Sequence, residues 1–501
     1  MLKIIIVLVF SLVLCVQHSF GQQTSEKLQG IGEEITQLMK DYKAVGVSVA
    51  VVKDDEIIYS KGFGYRDLEN KLLLTSKTVF PIGSVTKAFT GALLGVLEDE
   101  HKVDLKASPL DYIPYFEFYN DEMNNRITIE DILSHKSGIG NTGTPDVFFA
   151  TENKLEAVRR LKYLKPEATI GDSFDYSNMG YTIAGTIAEK VTQTSWGDNV
   201  KKSFFTPLGM QNSYTSLSEM MENDDYSLPY GLYEGTTKRV HYEKFLSLSP
   251  AGAIKSNVRD MSKWMMTWLN KGRFGDKQII PSDYVVSATR LQNINNDNYE
   301  EDAFLFGYGF GWRLRSSYGH FRVEHGGNTY GFSSDLAMYP HDNVGIVVLT
   351  NQDNSQLPYI IVDLIARRLF DIEPIEKYPV VVQEIYRPDT KDQPLNQDKL
   401  PSHPLKAFCG TYKAEGIGAI EFTYDGENLF AKFPKFLFKL EHLNFNAFYL
   451  EATSEFTEVF NPEFPLEFFN GLDGNISHLK LYSQKEPVVF KKINASLEHA
   501  E

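Results

Sequence analysis

The chain has little cysteine: two among 501 residues, Cys15 and Cys409. At most one pair could form, so a disulfide scaffold is excluded and packing must hold the fold. Positive charge is also scarce. Lys and Arg number 50 against 66 Asp and Glu, for a formal net charge of −16. A nucleic-acid partner is thereby excluded, because phosphate contacts need a basic stripe. The histidines are scattered, with no His-Glu-x-x-His or paired spacing, so no metal site is expected, and no cofactor motif is present. No serine sits in a Gly-x-Ser-x-Gly elbow, and no internal repeat is visible. Aromatic residues, by contrast, make up 13% of the chain, which rules out disorder. The length asks for two or three domains rather than one core.

The one long apolar run is at the start. Met1-Leu2-Lys3 precedes Ile4 to Val16, interrupted only by Ser11, and then come the small residues Ser19 and Gly21. A charged start, a short apolar stretch and a small-x-small exit read as a secretory signal over residues 1–21, cleaved before Gln22. The run is short of the roughly 20 residues of a membrane span; the alternative is an uncleaved anchor. Cleavage removes Cys15 and Lys3, leaving Cys409 as the single thiol and taking the net charge from −16 to −17. The expectation is an exported, periplasmic or secreted protein with no stable membrane span.

Beyond the signal, Leu28, Ile31, Ile35 and Leu38 recur at helical spacing, so 24–42 reads as an amphipathic helix. Val45 to Val52 and Glu56 to Tyr65 read as strands around an Asp54-Asp55 turn. Helical patterns follow at 84–99, 128–133, 180–191 and 259–269. Tyr308 to Leu314, Phe332 to Tyr339 and Val344 to Thr350 read as late strands, and 358–369 as a closing helix. Helices and strands segregate, so an α+β fold is expected, an antiparallel sheet flanked by helices. Residues 376–404 read as a linker; the stretch from Pro374 to Pro404 holds six prolines. Residues 405–494 are rich in Phe, with hairpin signals at Asp425-Gly426 and Asp473-Gly474, and read as a small antiparallel barrel.

Chemistry concentrates in three places. Ser84-Val85-Thr86-Lys87 opens a helix and puts serine and lysine on one face of its first turn. A serine needs a base, and a desolvated lysine is neutral enough to serve. The spacing alone is weak, and it recurs at Ser477 to Lys480, in a β-like stretch where residues three apart face opposite sides. Asp175-Tyr176-Ser177-Asn178 places a tyrosine and an asparagine on one tight turn; by itself this is a packed turn. Glu324-His325-Gly326-Gly327-Asn328 lies on or before the late strands, and by itself is a β-turn. Its glycines would let a substrate lie against a strand edge. The Asn328 N–H could join that of Ser84 in an oxyanion hole, and His325 could offer a donor or a positive charge to a substrate carboxylate. His135 follows a serine but reads as a structural hydrogen-bonding residue.

Ser-x-x-Lys, then Tyr-x-Asn, then a Lys-Thr-Gly-like triplet, in this order, resemble the signature of the penicillin-recognising serine hydrolases. The Tyr-x-Asn form is similar to the class C β-lactamase branch, which includes D-alanyl-D-alanine carboxypeptidases, D-aminopeptidases and esterases. Ile132-Leu133-Ser134-His135-Lys136-Ser137-Gly138, Pro207-Leu208-Gly209-Met210 and Pro250-Ala251-Gly252-Ala253 add to the resemblance, which covers roughly residues 24 to 372. It implies a β-lactamase/transpeptidase-like fold over 22–375, an antiparallel sheet with a helical subdomain. It implies acylation of Ser84 with Lys87 as base and Tyr176 assisting, the split between those two being left open. Asn178, His325, Gly326, Gly327 and Asn328 are the implied substrate-binding residues. His325-Gly326-Gly327 departs from Lys-Thr-Gly, which disfavours efficient β-lactamase action. The C-terminal module, absent from plain β-lactamases, resembles the lipocalin-like modules of exported peptidases, with cleft shaping or homo-oligomer formation as its expected role. The expected partner is a small peptide, amide or ester, the leading expectation being a peptidase or amidase on D-amino-acid or cell-wall peptides. Alternatives are an esterase or weak β-lactamase, and, in another class, a non-catalytic penicillin-recognising receptor.

Overall fold

Asp54 and Asp55 both take left-handed conformations, with φ of 50° and 67°. That pair matches the twist of a two-residue hairpin, and it joins β1 (Gly46–Lys53) to β2 (Glu56–Asp67). The computed structural model describes residues 26–140, 148–166, 168–233, 235–244, 246–295, 305–381, 399–453, 465–482 and 487–493. The signal expected over 1–21 and most of the linker expected over 376–404 lie outside them.

The described residues fall into two compact units. The first draws on 1–102, 194–244 and 252–384, and the second on 103–193, 245–251 and 385–501. Compactness therefore groups residues 103–193 with the C-terminal module.

The first unit is built on an antiparallel sheet. Its further strands are β3 (Leu72–Leu73), β4 (Asn293–Ile294), β5 (Phe306–Tyr308), β6 (Arg313–Ser317), β7 (His320–Thr329), β8 (Phe332–Tyr339) and β9 (Val344–Thr350), in the order β4-β5-β6-β7-β8-β9-β1-β2-β3. Val47, Val49 and Val51 of β1 and Ile346 and Val348 of β9 face the helices Ile31–Asp41 and Leu357–Leu369. On the other face, the space a side chain on Gly345 would take is held by Val52 and by Met265 of the helix Val258–Leu269. Both faces are covered, so β1 and β9 read as nearly continuous apolar runs. Trp264 of that helix stacks on Phe89, with ring centroids 3.8 Å apart.

The sequence pattern differs from the structure in two strands. The run expected over 308–314 is two short strands, because Gly311 (φ 80°) turns the chain between them. Glu324 to Asn328, expected on or just before the late strands and a β-turn when read alone, form the second half of β7, a ten-residue strand that is not among those expected. Arg322, Glu324 and His325 are buried there, and buried charged residues give no apolar alternation to read.

In the second unit, residues 410–492 form a closed eight-stranded antiparallel barrel: β10 (Gly410–Ala414), β11 (Gly418–Tyr424), β12 (Leu429–Lys432), β13 (Leu437–Asn444), β14 (Ala447–Ala452), β15 (Pro465–Asn470), β16 (Ile476–Leu481) and β17 (Val488–Lys492). Gly426 and Gly474, with φ of 112° and 81°, sit in two of its hairpin turns. Eight strands enclose just enough room for side chains, and aromatic rings fill it. Phe468 lies 4.9 Å from Phe408 and 5.0 Å from Phe422, centroid to centroid. The second Ser-x-x-Lys copy falls in β16. The other part of this unit includes the helix Ile129–Leu133, closed by a Thr128–Asp131 capping box, and the helix Asn178–Thr192. Among the described residues no helix is long and apolar enough to cross a membrane.

Candidate active site

The segment before Ser84 is fastened along its length. Phe80 and Pro81 pair with Ser256 and Lys255, and the Ile82 amide donates to the Ile254 carbonyl at 3.0 Å. Gly83 then takes φ 52°. A Cβ there would be strained and would lie 2.7 Å from Asn328 N, so glycine is what lets this turn press against β7. A 3-10 turn over Gly83–Val85 leads into the helix Thr86–Asp99. Thr86 Oγ1 accepts from the Ile254 amide at 3.1 Å, which fixes the start of that helix.

Ser84 is half-buried, whereas Lys87, one turn on, is fully buried. Lys87 Nζ lies 3.1 Å from Ser84 Oγ. Burial holds the Lys87 ammonium well below its ordinary pKa, and the nearby Arg313 charge pushes in the same direction. Desolvation thus favours the neutral amine, the form whose lone pair can take the hydroxyl proton.

Opposite the serine turn, β7 presents His325 to Asn328. Gly327 pairs with Ser334 and Asn328 with Ser333 of β8. A Cβ on Gly327 would overlap the Ile82 carbonyl and lie 2.5 Å from Ser334 Oγ. Ser334 Oγ donates to Ile82 O at 3.0 Å, tying the serine loop to the strand. A Cβ on Gly326, on the other face, would overlap the Tyr359 hydroxyl. The Asn328 side chain is held by Ser333 Oγ (2.7 Å) and by Asn354, while its amide faces Gly83, next to Ser84. Gly327→Ala should therefore push the serine turn off β7. We expect kcat to fall about 100-fold and the fold to lose about 1–3 kcal/mol; unchanged kinetics and melting would show that no such close approach exists.

His325 is buried and stands in the strand with both ring nitrogens engaged. Nδ1 lies 2.6 Å from the Gly326 carbonyl, which can only accept, so Nδ1 carries the proton. Nε2 then accepts from the Tyr308 hydroxyl at 2.9 Å. Burial, with the charges of Arg313 and Lys87, pushes the imidazole pKa well below its ordinary value. Of the two roles expected for this residue, the positive charge is absent from the neutral ring. The cation on this side is Arg313, exposed on β6 and paired in register with Glu324. Arg313, Ser334 and Tyr308 escaped sequence reasoning, since nothing local marks them; only strand pairing brings them to the site.

Tyr176 and Asn178 belong to the second unit, where both are half-buried. Ser177 caps the helix Asn178–Thr192 by accepting from the Gly180 amide at 3.1 Å. The Ser177 amide donates to Nδ1 of the buried His135 at 3.0 Å, and the His135 ring lies 4.5 Å from the Tyr176 ring. Tyr181 donates to the Leu133 carbonyl at 2.7 Å. His135 thus supports the Tyr176 turn structurally. Among the described residues no group of three or more His, Cys, Asp or Glu is placed to hold a metal ion.

A family model described as Beta-lactamase matches residues 32–366, and one described as a domain of unknown function, DUF3471, matches residues 396–495. Protein flp of Staphylococcus aureus (strain COL) is 28% identical over 345 residues, 68% of this chain and 66% of that protein. Unguisins hydrolase ungD' of Aspergillus campestris (strain IBT 28561) is 28% identical over 344 residues, 65% of this chain and 62% of that protein. The chain thus spans slightly less than two thirds of the length of these curated relatives. Among solved structures, the octameric penicillin-binding protein homologue from Pyrococcus abyssi matches with a TM-score of 0.63 at 22% identity, covering 92% of this chain and 100% of that one, a likeness of fold.

Proposed function

Because the chain belongs to the beta-lactamase family of serine hydrolases, we propose that it cleaves small peptides or amides, D-amino-acid or cell-wall peptides foremost, through an acyl-enzyme on Ser84. The observation that carries this is the buried Lys87 amine 3.1 Å from the serine hydroxyl, its pKa lowered first by desolvation. Ser84 Oγ attacks the carbonyl carbon and its proton passes to Lys87 Nζ. The amides of Ser84 and Asn328 take the developing oxyanion. As the C–N bond breaks, Lys87 returns the proton to the leaving amine. Water then attacks the acyl carbon and gives a proton to Lys87 Nζ; as the acyl C–O bond breaks, Lys87 passes that proton to Ser84 Oγ, and the acid leaves with serine and neutral lysine restored. The family pattern adds Tyr176 as the assisting proton relay and Asn178 as a substrate-amide partner.

Amides are favoured over esters because a lysine that has just taken a proton supplies what a poor amine leaving group needs. A free carboxylate on the substrate is favoured because Arg313 is exposed next to the buried Lys87 and His325, whose pKa values its charge lowers. The test is a panel of D-amino-acid dipeptides, their carboxamides, an activated ester and a chromogenic cephalosporin. We expect Ser84-dependent turnover of dipeptide and ester, with the cephalosporin slower than both. Arg313→Met should raise KM about 10-fold or more for the free dipeptide and not for its carboxamide, as for a lost charged hydrogen bond. A cephalosporin turned over faster than every amide, or an Arg313 variant indifferent to the carboxylate, would overturn the assignment.

A further inference from the structure

The barrel is closed at one end by a part of the chain far from it in sequence. Successive strands run up and down, so the connections β10–β11, β12–β13 and β16–β17 open at the same end. Phe148 and Phe149 are buried there. The Phe148 ring lies 4.8 Å from that of Phe433, and the Phe149 ring 5.5 Å from that of Phe490. Gly418 (φ 150°) leaves the space Phe149 needs, since a Cβ there would come within 2.5 Å of its ring. Gly416 (φ 70°) leaves the corresponding space for Tyr163. Arg160 Nη1 donates to the Phe149 carbonyl at 2.5 Å and holds the pair in place. The interior is already filled with rings, so these two phenylalanines seal a packed barrel rather than line a ligand cup.

The same stretch of chain is anchored at its other side to the Tyr176 turn. The carbonyl of His135 accepts from Asp175 N at 3.0 Å, and that of Lys136 from Gly171 N at 2.9 Å. The His135 ring accepts from Ser177 N. The chain leaves this ladder after Gly138 and returns at Ala168, and Phe148, Phe149 and Tyr163 between them pack against the barrel. One side of this excursion is fixed by the barrel, and the other fixes Tyr176.

We propose that the C-terminal barrel is a positioning device for the Tyr176 turn, acting through Phe148 and Phe149. The inference rests on the proposed role of Tyr176 as a proton relay. Phe148 and Phe149 are positioning residues, acting through the chain of the second unit. Both phenylalanine side chains are buried in the seat, and removing that much apolar surface from water opposes the entropy gained when a chain segment comes loose.

A relay group matters more when the leaving group needs a proton. The full-length Phe148→Ala/Phe149→Ala variant should therefore lose about 100-fold in kcat on the dipeptide, the scale of a small misplacement at a reacting centre. Its kcat on an activated ester, whose leaving group needs no proton, should change by less than about threefold. Phe148→Leu/Phe149→Leu, which keeps apolar volume in the seat, should restore the dipeptide rate. If the alanine variant does not fold, Tyr163→Ala at the same barrel end carries the same expectation with a smaller dipeptide-to-ester difference. Equal loss on both substrates, which a mere reduction in folded protein would give, overturns the proposal, as does no loss on either. Absence of Ser84-dependent turnover in the wild-type chain is a separate result, striking the proposed function rather than the role of the barrel.

Discussion

Ser84→Ala is expected to lower kcat on peptide and ester substrates by about 10⁴- to 10⁶-fold and to abolish covalent labelling by a fluorescent penicillin. The magnitude follows from what is removed. The hydroxyl next to Lys87 is the atom to which the acyl group is transferred, and without it only binding and oxyanion stabilisation remain, a residue of about 10³-fold over water. The substitution removes one oxygen from a half-buried position, so melting should shift little. Intact-mass measurement after incubation with substrate checks the point directly: wild type gains the acyl mass and the variant does not. Equal rates for the two proteins across amides and esters would end the serine hydrolase mechanism for this chain and favour a receptor-like role.

Lys87→Met separates activity from stability, with opposite signs. Methionine fills much of the buried space but cannot take a proton, so kcat should fall about 10²- to 10⁴-fold. Stability should rise. Burial first, and Arg313 second, keep the Lys87 pKa in the folded chain well below its ordinary value, whereas the unfolded chain titrates it near pH 10.4. Between those two values the unfolded state binds the extra proton, so wild-type stability falls as pH falls, by about 1.4 kcal/mol per pH unit. Above about pH 10.4 the lysine is neutral in both states and this cost disappears. Methionine removes it altogether. The melting temperature of the variant should exceed that of wild type at pH 7, with a gap that narrows as pH rises toward 10. Lys255, whose shift comes from burial and from Glu219 and Glu243, is shared by the two proteins and cancels in that difference. A gap independent of pH would mean that Lys87 is charged in the folded chain. For activity the sign is the converse: wild-type kcat falls only on the acid side, as pH drops through the depressed pKa and the base becomes protonated.

The two outcomes together describe a common trade. A buried lysine held neutral destabilises the fold that carries it, and the sheet and helices around it must be stable enough to tolerate that. The fastening of the serine turn by Ile254, Thr86 and Ser334 supplies part of this tolerance.

Much of the fold was legible because it is periodic. Phe332–Tyr339 and Val344–Thr350 fall where their β-like runs between turn residues place them, and the helix Val258–Leu269 lies within a residue of its pattern. The hairpin glycines at 426 and 474 marked real turns of the barrel. Strand β7 was not legible, for a physical reason. Arg322 is paired with Glu324 and Asp335 inside the fold, and a strand that buries charged pairs carries the composition of a surface loop. The site was partly legible in the same way. Ser84 and Lys87 announce themselves by spacing. Arg313 and Ser334 are ordinary residues in ordinary strands, and they reach the serine turn only through the β6–β7–β8 pairing.

By itself, then, the sequence determined the kind of chemistry: a serine and a lysine one turn apart at a helix start, a Tyr-x-Asn turn, a glycine pair, and a phenylalanine-rich module to follow. These are local patterns, fixed by neighbours a few residues away. The tertiary structure decided what local patterns cannot carry. Whether Lys87 is charged depends on how much water reaches it, and burial removes that water. Whether His325 offers a proton or takes one depends on the Gly326 carbonyl and on Tyr308. Whether the barrel stands apart depends on Phe148 and Phe149, more than 250 residues before its last strand, which compactness brings into its end. Desolvation and long-range packing act through space, and only the folded chain expresses them.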